Sequence, residues 1–186
     1  MGSIEYMSNN ILPIYTIGYG NRSITHIIEL LNKYQISQLV DVRSFPYSKY
    51  NSEFNRENLQ NSLQNQNIVY TFVGDLLGGR PNDRTCYNNE GQADYSIISQ
   101  KDFYINGIKL LKEISKYKNT CIMCSEIKPE TCHRSKLIGE TLFRDGMDIL
   151  HIDSDNGGTL VKHTTVIGRL GLSLFDLGFT SLNKII

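Results

Sequence analysis

The chain has 186 residues, 40% of them hydrophobic and 20% charged, the composition of one ordinary globular domain rather than of a disordered, collagenous or coiled-coil chain. Lys plus Arg and Asp plus Glu are both 19, so the formal charge is +0. That balance argues against a sequence-independent nucleic-acid coat or a polybasic membrane anchor, while leaving room for a local basic pocket.

No apolar run approaches the ~20 residues that cross a bilayer, and Met1 to Asn10, within a polar lead of residues 1–13, is unlike a signal peptide. A cytoplasmic protein with no membrane partner is expected, and Met7 is an alternative start. In a reducing compartment Cys86, Cys121, Cys124 and Cys132 are expected as free thiols rather than disulfides.

Residues 14–155 read as the folded domain. Ile14-Tyr15-Thr16-Ile17 is a β-branched, aromatic strand that stops at Gly18-Tyr19-Gly20. Ser23 then caps a helix running through Tyr34, Gln38 to Arg43 forms a second strand, and Pro46 ends it. A mainly polar helix over Arg56 to Asn65 carries Leu59 and Leu63 one turn apart, and Ile68 to Val73 is a third strand. Residues 74–101 lose periodicity, the mark of a functional or disordered loop. An apolar-faced helix follows from Asp102 to Tyr117, then the strand Thr120-Cys-Ile-Met-Cys124. Thr131 is the expected N-cap of a helix over Cys132 to Phe143, and Asp148 to Ile152 is a fifth strand. The glycine-rich, then apolar tail, residues 156–186, is expected to pack on the domain.

Strands alternating with helices predict an α/β single domain: a mostly parallel five-stranded sheet with helices on both faces, a Rossmann-like three-layer sandwich. In such sheets ligands bind beyond the carboxyl ends of the strands. There the sequence places Tyr19, Asp41 and Arg43, Arg80, Cys124 and Glu126, and His151. Five of the eight arginines, Arg22, Arg43, Arg80, Arg84 and Arg134, fall on this edge or in the long loop. Arginine concentrated at one edge of a neutral chain predicts an anionic ligand.

Cys124-Ser-Glu126-Ile-Lys-Pro-Glu-Thr-Cys132-His133-Arg134 is the segment richest in reactive groups. Cys132, His133 and Arg134 would occupy a first helical turn, whose field favours an anion and a thiolate. Strand alternation puts Cys124 and Glu126 on one side if the strand continues as far as Glu126. The plainer readings are a core role for Cys121, Cys124 or Cys132, a structural Asp41–Arg43 ion pair, a helix-start role for His133, and a packing role for His26 and for His151. A zinc site from Cys121, Cys124, Cys132 and His133 has suitable ligand types, but residues 121 and 124 face opposite sides of a strand. No metal is therefore expected. The third glycine of the dinucleotide fingerprint is missing after Gly18 and Gly20, no Walker lysine follows a glycine loop, and Cys121-x-x-Cys124 opens no helix, so no cofactor is expected either.

Thr16-Ile17-Gly18, Asp41-Val42-Arg43 with Pro46, Leu77-Gly78-Gly79-Arg80, Tyr95 with Phe103, Cys124-Ser-Glu126 with Pro129 and Cys132-His133-Arg134, and His151-Ile152 occur in that order. In this the chain resembles the domain-of-unknown-function 488 family of prokaryotic proteins over about residues 14–155. One departure is that Tyr19-Gly20 stands where the family often has His-Ser, so a histidine there is not essential to this chain's chemistry. The resemblance implies a fold and a motif set, but no reaction.

Three functions are weighed. The first is an enzyme acting on a phosphate-bearing, nucleotide or nucleic-acid-derived substrate: Cys124, Cys132, Glu126 and Asp41 catalytic, and Tyr19, Arg43, Arg80, His133, Arg134 and His151 binding. The second is a non-catalytic module for an anionic small molecule or nucleic-acid-derived ligand. The third is a structural or partner-docking domain whose motif residues pair with one another. Oligomeric state is not legible.

Overall fold

The computed structural model describes residues 12–153 and 157–171. The polar lead before residue 12 and the apolar tail beyond residue 171 lie outside them.

In chain order the elements are β1 (Ile14–Gly18), α1 (Ile24–Lys33), β2 (Gln38–Asp41), α2 (Arg56–Gln64), β3 (Val69–Phe72) and the one-turn α3 (Gly74–Leu77). They continue as α4 (Tyr95–Ile98), α5 (Asp102–Ser115), β4 (Thr120–Cys124), α6 (Glu140–Arg144), β5 (Ile149–Ile152), β6 (Leu160–Lys162) and α7 (His163–Gly168). Ser23 caps α1 by accepting the His26 backbone N–H, as its position before the apolar periodicity predicts. On α5, Tyr104, Ile108 and Leu111 recur at helical spacing and are the buried stripe.

The sheet has the order β3-β2-β4-β1-β5-β6. The first five of these strands pair in parallel, and β6 pairs antiparallel with β5. The sequence reading thus falls one strand short: β6 is a three-residue strand of exposed or half-buried side chains, too short to show a period. The sheet is mixed α/β, mostly parallel and compatible with a Rossmann-like fold.

Alternation along the strands divides the core in two. Ile17, Leu39, Cys121 and Met123 pack with Leu30 and Leu31 of α1 and Leu59 and Leu63 of α2. Ile14, Val40, Ile122 and Cys124 pack on the other face with Tyr104 and Leu111 of α5 and with Leu137 and Leu142. Cys86, read as a loop thiol, is buried in this second core. Helices therefore cover both faces, and each face is apolar because both are dry.

The apparent loop of residues 74–101 is built from one-turn pieces. Besides α3 and α4 it holds a 3-10 turn, Arg84–Cys86, and a bridge between Tyr87 and Ala93. None is long enough to carry a period in the sequence.

The chain leaves β1 for β2, two places away in the sheet, and β4 later inserts between them. The carboxyl ends of β2, β4 and β1 consequently lie side by side, bringing residues 41–43 and 124–126 together although some 80 positions separate them.

Candidate functional site

The site is assembled on the carboxyl end of β4. Beyond Cys124 the chain turns through a 3-10 helix, Pro129–Thr131, and re-enters a helix at His133. Thr131 is not its N-cap, because the Thr131 hydroxyl donates back to the Lys128 carbonyl. The cap is Cys132: its backbone is extended, its carbonyl accepts from Ser135 and Lys136, and its Sγ accepts the Arg134 backbone N–H at 3.5 Å. The expected helix runs from there as a π-helical stretch, Arg134–Gly139, before α6. Such wide turns are rare and tend to occur at functional positions.

Four reactive side chains converge. Cys124 donates to Glu126 Oε2 at 2.6 Å, and Cys132 Sγ lies 3.2 Å from the same oxygen. His133 Nδ1 is 3.6 Å from Cys124 Sγ and 3.7 Å from Cys132 Sγ. His133 Nε2 donates to the Val42 carbonyl at 3.0 Å, which turns Nδ1 toward the two sulfurs. Gly79 lies flat against the imidazole, and a Cβ there would sit 2.8 Å from His133 Cγ, so the Gly-Gly-Arg loop needs its second glycine for this close approach.

The charges are shared within the cluster. The hydrogen bond to Cys132, and then burial, push the Cys124 thiol well up, so Cys124 keeps its proton. At Cys132 burial acts upward, but the hydrogen bond from Cys124 and the positive charge of Arg134 outweigh it and bring the thiol down. Glu126 is opposed by burial, yet hydrogen bonds from Cys124, from the backbone and from Cys132 hold it at about 2. Burial acts to lower His133, and its contacts with Cys124, the Val42 carbonyl and Glu126 raise it on balance. The two neighbouring thiols are thus pushed in opposite directions, Cys124 up and Cys132 down.

The cluster is open to solvent on one side. Arg43, Ser44, Arg80, Tyr95, Glu126 and His133 line a cavity of about 300 Å³ that also reaches Cys124. A neighbouring hollow of about 570 Å³ shares Gly79, Arg80 and Tyr95 with it. Arg80 is exposed between the two, its backbone N–H held by the Ser44 hydroxyl at 2.9 Å. Phe45 stands at the rim, 68% exposed.

The other expected site residues have different employment. Asp41 and Arg43 form a buried bidentate pair, with Nε to Oδ1 at 2.9 Å and a second N–H to Oδ2 at 2.6 Å. Tyr70 also donates to Asp41, and Arg43 donates to the Phe54 carbonyl. Asp41 is therefore a structural carboxylate here, and it lines neither of these two cavities. Tyr19 is buried, stacked on Phe54 at 4.1 Å beneath the Arg43 guanidinium. Arg134 is 1% exposed and holds the Glu126 and Ile127 carbonyls, the former at 2.5 Å and the latter at 2.9 Å. It shapes the loop that presents Glu126, and it needs Gly18 beside it, because a Cβ on Gly18 would strike the Glu126 carbonyl. Arg22 donates to the Gly18 carbonyl, and Arg84 is exposed on its 3-10 turn. Of the arginines expected to hold an anion, Arg43 and Arg80 line the smaller cavity; Arg43 is buried on Asp41, and Arg80 is the exposed one.

His151 lies apart from the cluster, in a chain of its own. Thr16 Oγ1 is 2.7 Å from His151 Nδ1, His151 Nε2 is 3.0 Å from His163 Nδ1, and His163 Nε2 is 3.4 Å from Glu140 Oε2. Burial, and then the neighbouring His163, push His151 well below its ordinary range. Sequence reasoning missed His163 and Glu140, because a contact across the unrecognised strand β6 leaves no local pattern.

A family model described as domain of unknown function DUF488 matches residues 23–140. The chain belongs to the DUF488 family. No curated protein and no solved structure matches it. The match takes in the Asp41-Val-Arg43, Gly-Gly-Arg80 and Cys124-to-Arg134 segments, hence all four members of the cluster, and stops short of His151. The DUF488 motifs thus fall partly on reactive groups and partly on the ion pair and carbonyl clamp that support them. Cys121 does face away, into the α1–α2 core, but Glu126 supplies a fourth donor atom beside Cys124, Cys132 and His133, all four within 4.8 Å of one another. The strand pleat that separates Cys121 from Cys124 therefore does not separate the members of this set.

Among the described residues no helix is long and apolar enough to cross a membrane.

Proposed function

We propose that the protein is an enzyme acting on a phosphate-bearing substrate, a nucleotide or a nucleic-acid-derived molecule, in a cytoplasmic setting that keeps its thiols reduced. One observation carries this reading: Arg80 shares a solvent-open cavity with Cys124, Glu126 and His133. Arg80 is exposed and offers a guanidinium fork to a phosphate, and the cluster below it is the reacting part. Phe45 at the rim and Tyr95 in the wall offer flat apolar faces to a base. Glu126, exposed on the cavity wall, is the carboxylate placed to take a proton from substrate or water.

The test is a panel of nucleotides and phosphate esters, assayed for turnover and for binding by calorimetry. Arg80→Ala is expected to weaken binding at least 10-fold with an unchanged unfolding midpoint, and Glu126→Gln to lower kcat more than KM. Turnover and binding that survive both substitutions would remove this reading.

A second reading is a binding module without turnover. It is favoured by Asp41, whose carboxylate is spent on Arg43 and Tyr70 and so supplies no second proton carrier. Binding that depends on Arg80, with no product from any panel member, would establish it.

A further inference from the structure

We propose that Cys124, Cys132, His133 and Glu126 bind one zinc ion at the floor of the cavity, with the two sulfurs, Nδ1 and a carboxylate oxygen as donors. The site shares its place with the reaction centre proposed above but does not depend on turnover there.

Geometry is the first support. A tetrahedral zinc ion with bonds of ~2.3 Å to sulfur and ~2.0–2.2 Å to nitrogen and oxygen spaces its ligand atoms about 3.3–3.8 Å apart. The sulfur-to-Nδ1 distances are 3.6 and 3.7 Å, and Cys132 Sγ lies 3.2 Å from Glu126 Oε2. The remaining measured edge, where Cys124 donates its thiol proton to Glu126 Oε2 at 2.6 Å, is shorter than that spacing. An ion replaces that proton, releasing it to solvent, and a rotation of the exposed Glu126 side chain opens the edge. These four atoms come from two short segments, the end of β4 and the helix start, so one loop conformation presents all of them.

The supporting groups are the second. His133 Nε2–H is held by the Val42 carbonyl, so the Nδ1 lone pair faces the sulfurs without reorganisation. The Arg134 backbone N–H points at Cys132 Sγ, as amides do toward thiolate ligands. Two thiolates, one carboxylate and a neutral imidazole leave a divalent ion with one excess negative charge. The buried Arg134 guanidinium, clamped on the Glu126 and Ile127 carbonyls, balances it.

Ligand chemistry selects the metal. Thiolate and imidazole donors favour zinc over magnesium or calcium, which take oxygen. Three ligands are buried and the fourth, Glu126, is exposed on the cavity side. Three buried ligands with one exchangeable position is the pattern of a catalytic zinc site rather than a closed structural one, and a substrate oxygen arriving past Arg80 would displace the carboxylate.

The experiment is metal analysis of the full chain after zinc loading and desalting, with thiol counting before and after a chelator. One zinc per chain is expected, with two thiols protected until the chelator removes the ion. X-ray absorption at the zinc edge should show two sulfur and two nitrogen or oxygen neighbours. Cys124→Ser, Cys132→Ser and His133→Ala should each weaken zinc binding beyond the roughly 10–100-fold that loss of a supporting hydrogen bond costs. Cys121→Ala, on the other face, should leave it unchanged. Substoichiometric zinc, a sulfur-free coordination shell, or full binding by the Cys124→Ser/Cys132→Ser double variant would overturn the site. So would protection of the thiols that only a reductant reverses, which marks a disulfide. The thiol and absorption measurements use the unaltered chain, so they decide even where a variant fails to fold. Turnover by zinc-free protein would overturn a catalytic role for the ion while leaving the functional reading standing, and stoichiometric zinc without turnover would uphold the zinc site while removing the enzyme reading.

Discussion

Two buried histidines stand near the carboxyl edge of one sheet face, and their surroundings differ in kind. His133, 7% exposed, has one ring nitrogen on a backbone carbonyl and the other aimed at two thiols beside an open cavity. His151, 1% exposed, has both nitrogens taken by Thr16 and His163, and the chain closes on Glu140. The contacts run from the Thr16 hydroxyl through His151 and His163 to the carboxylate, so each ring nitrogen has a partner. A closed chain of this kind fixes packing. A histidine with soft ligands and solvent on its free side is equipped for chemistry. Burial therefore does not separate a structural histidine from a functional one; the partner of the second nitrogen does.

The strongest way to strain the comparison is to attack the support beneath His133. Arg43→Met leaves the Asp41 carboxylate buried with Tyr70 as its remaining side-chain donor. It should cost about 3–5 kcal/mol in denaturant unfolding. It should also weaken zinc binding ~10-fold, because the Val42 carbonyl that orients His133 is its neighbour. Unfolding unchanged within error would show that the pair is not structural. Next comes His151→Leu, which strands the Thr16 hydroxyl and His163 Nδ1 and should cost about 2–4 kcal/mol while leaving zinc stoichiometry intact. Lost zinc in a folded His151→Leu protein would merge the two regions into one site.

The smallest effect is on pH dependence. His151 is held below its ordinary range when folded, so between about pH 6.5 and its folded value the unfolded chain binds the extra proton. Its contribution to stability is present above that window and is lost as pH falls through it, by up to ~1.4 kcal/mol per pH unit. Thermal unfolding of the chelated protein at pH 7.5 and pH 5.5 should show the loss, and the His151→Leu variant should show a smaller one. Equal slopes would remove His151 as the titrating group.

Much of the frame was legible beforehand. β4, bounded by a lysine-rich stop and a polar turn, is the expected Thr120–Cys124 strand, and α1 starts at the expected Ser23 cap. These are local patterns of period, cap and turn residue, which act over a few positions. The cluster was partly legible too, since Cys124 and Glu126 stand two residues apart and Cys132 and His133 follow a short way along the chain; β4 ends at Cys124, so the turn rather than strand alternation brings Glu126 to the thiol. The helix start was misplaced by one residue because Thr131 and Cys132 are both able to cap, and the proline-led 3-10 turn decides between them.

By itself, then, the amino-acid order determined the alternation of elements, the face on which each strand residue lies, and the stretch of chain holding the reactive groups. Only the tertiary structure decided which charged groups are free. Asp41 and Arg43 satisfy each other, Arg134 is clamped on two carbonyls, and Arg80 is left to the cavity. Pairing depends on distances between segments remote in sequence, set by strand order and loop closure, and no periodicity encodes them. The same holds for Glu126 standing where Cys121 seemed needed: a strand's pleat sends Cys121 to the opposite core, and the turn after it brings a carboxylate to the sulfurs.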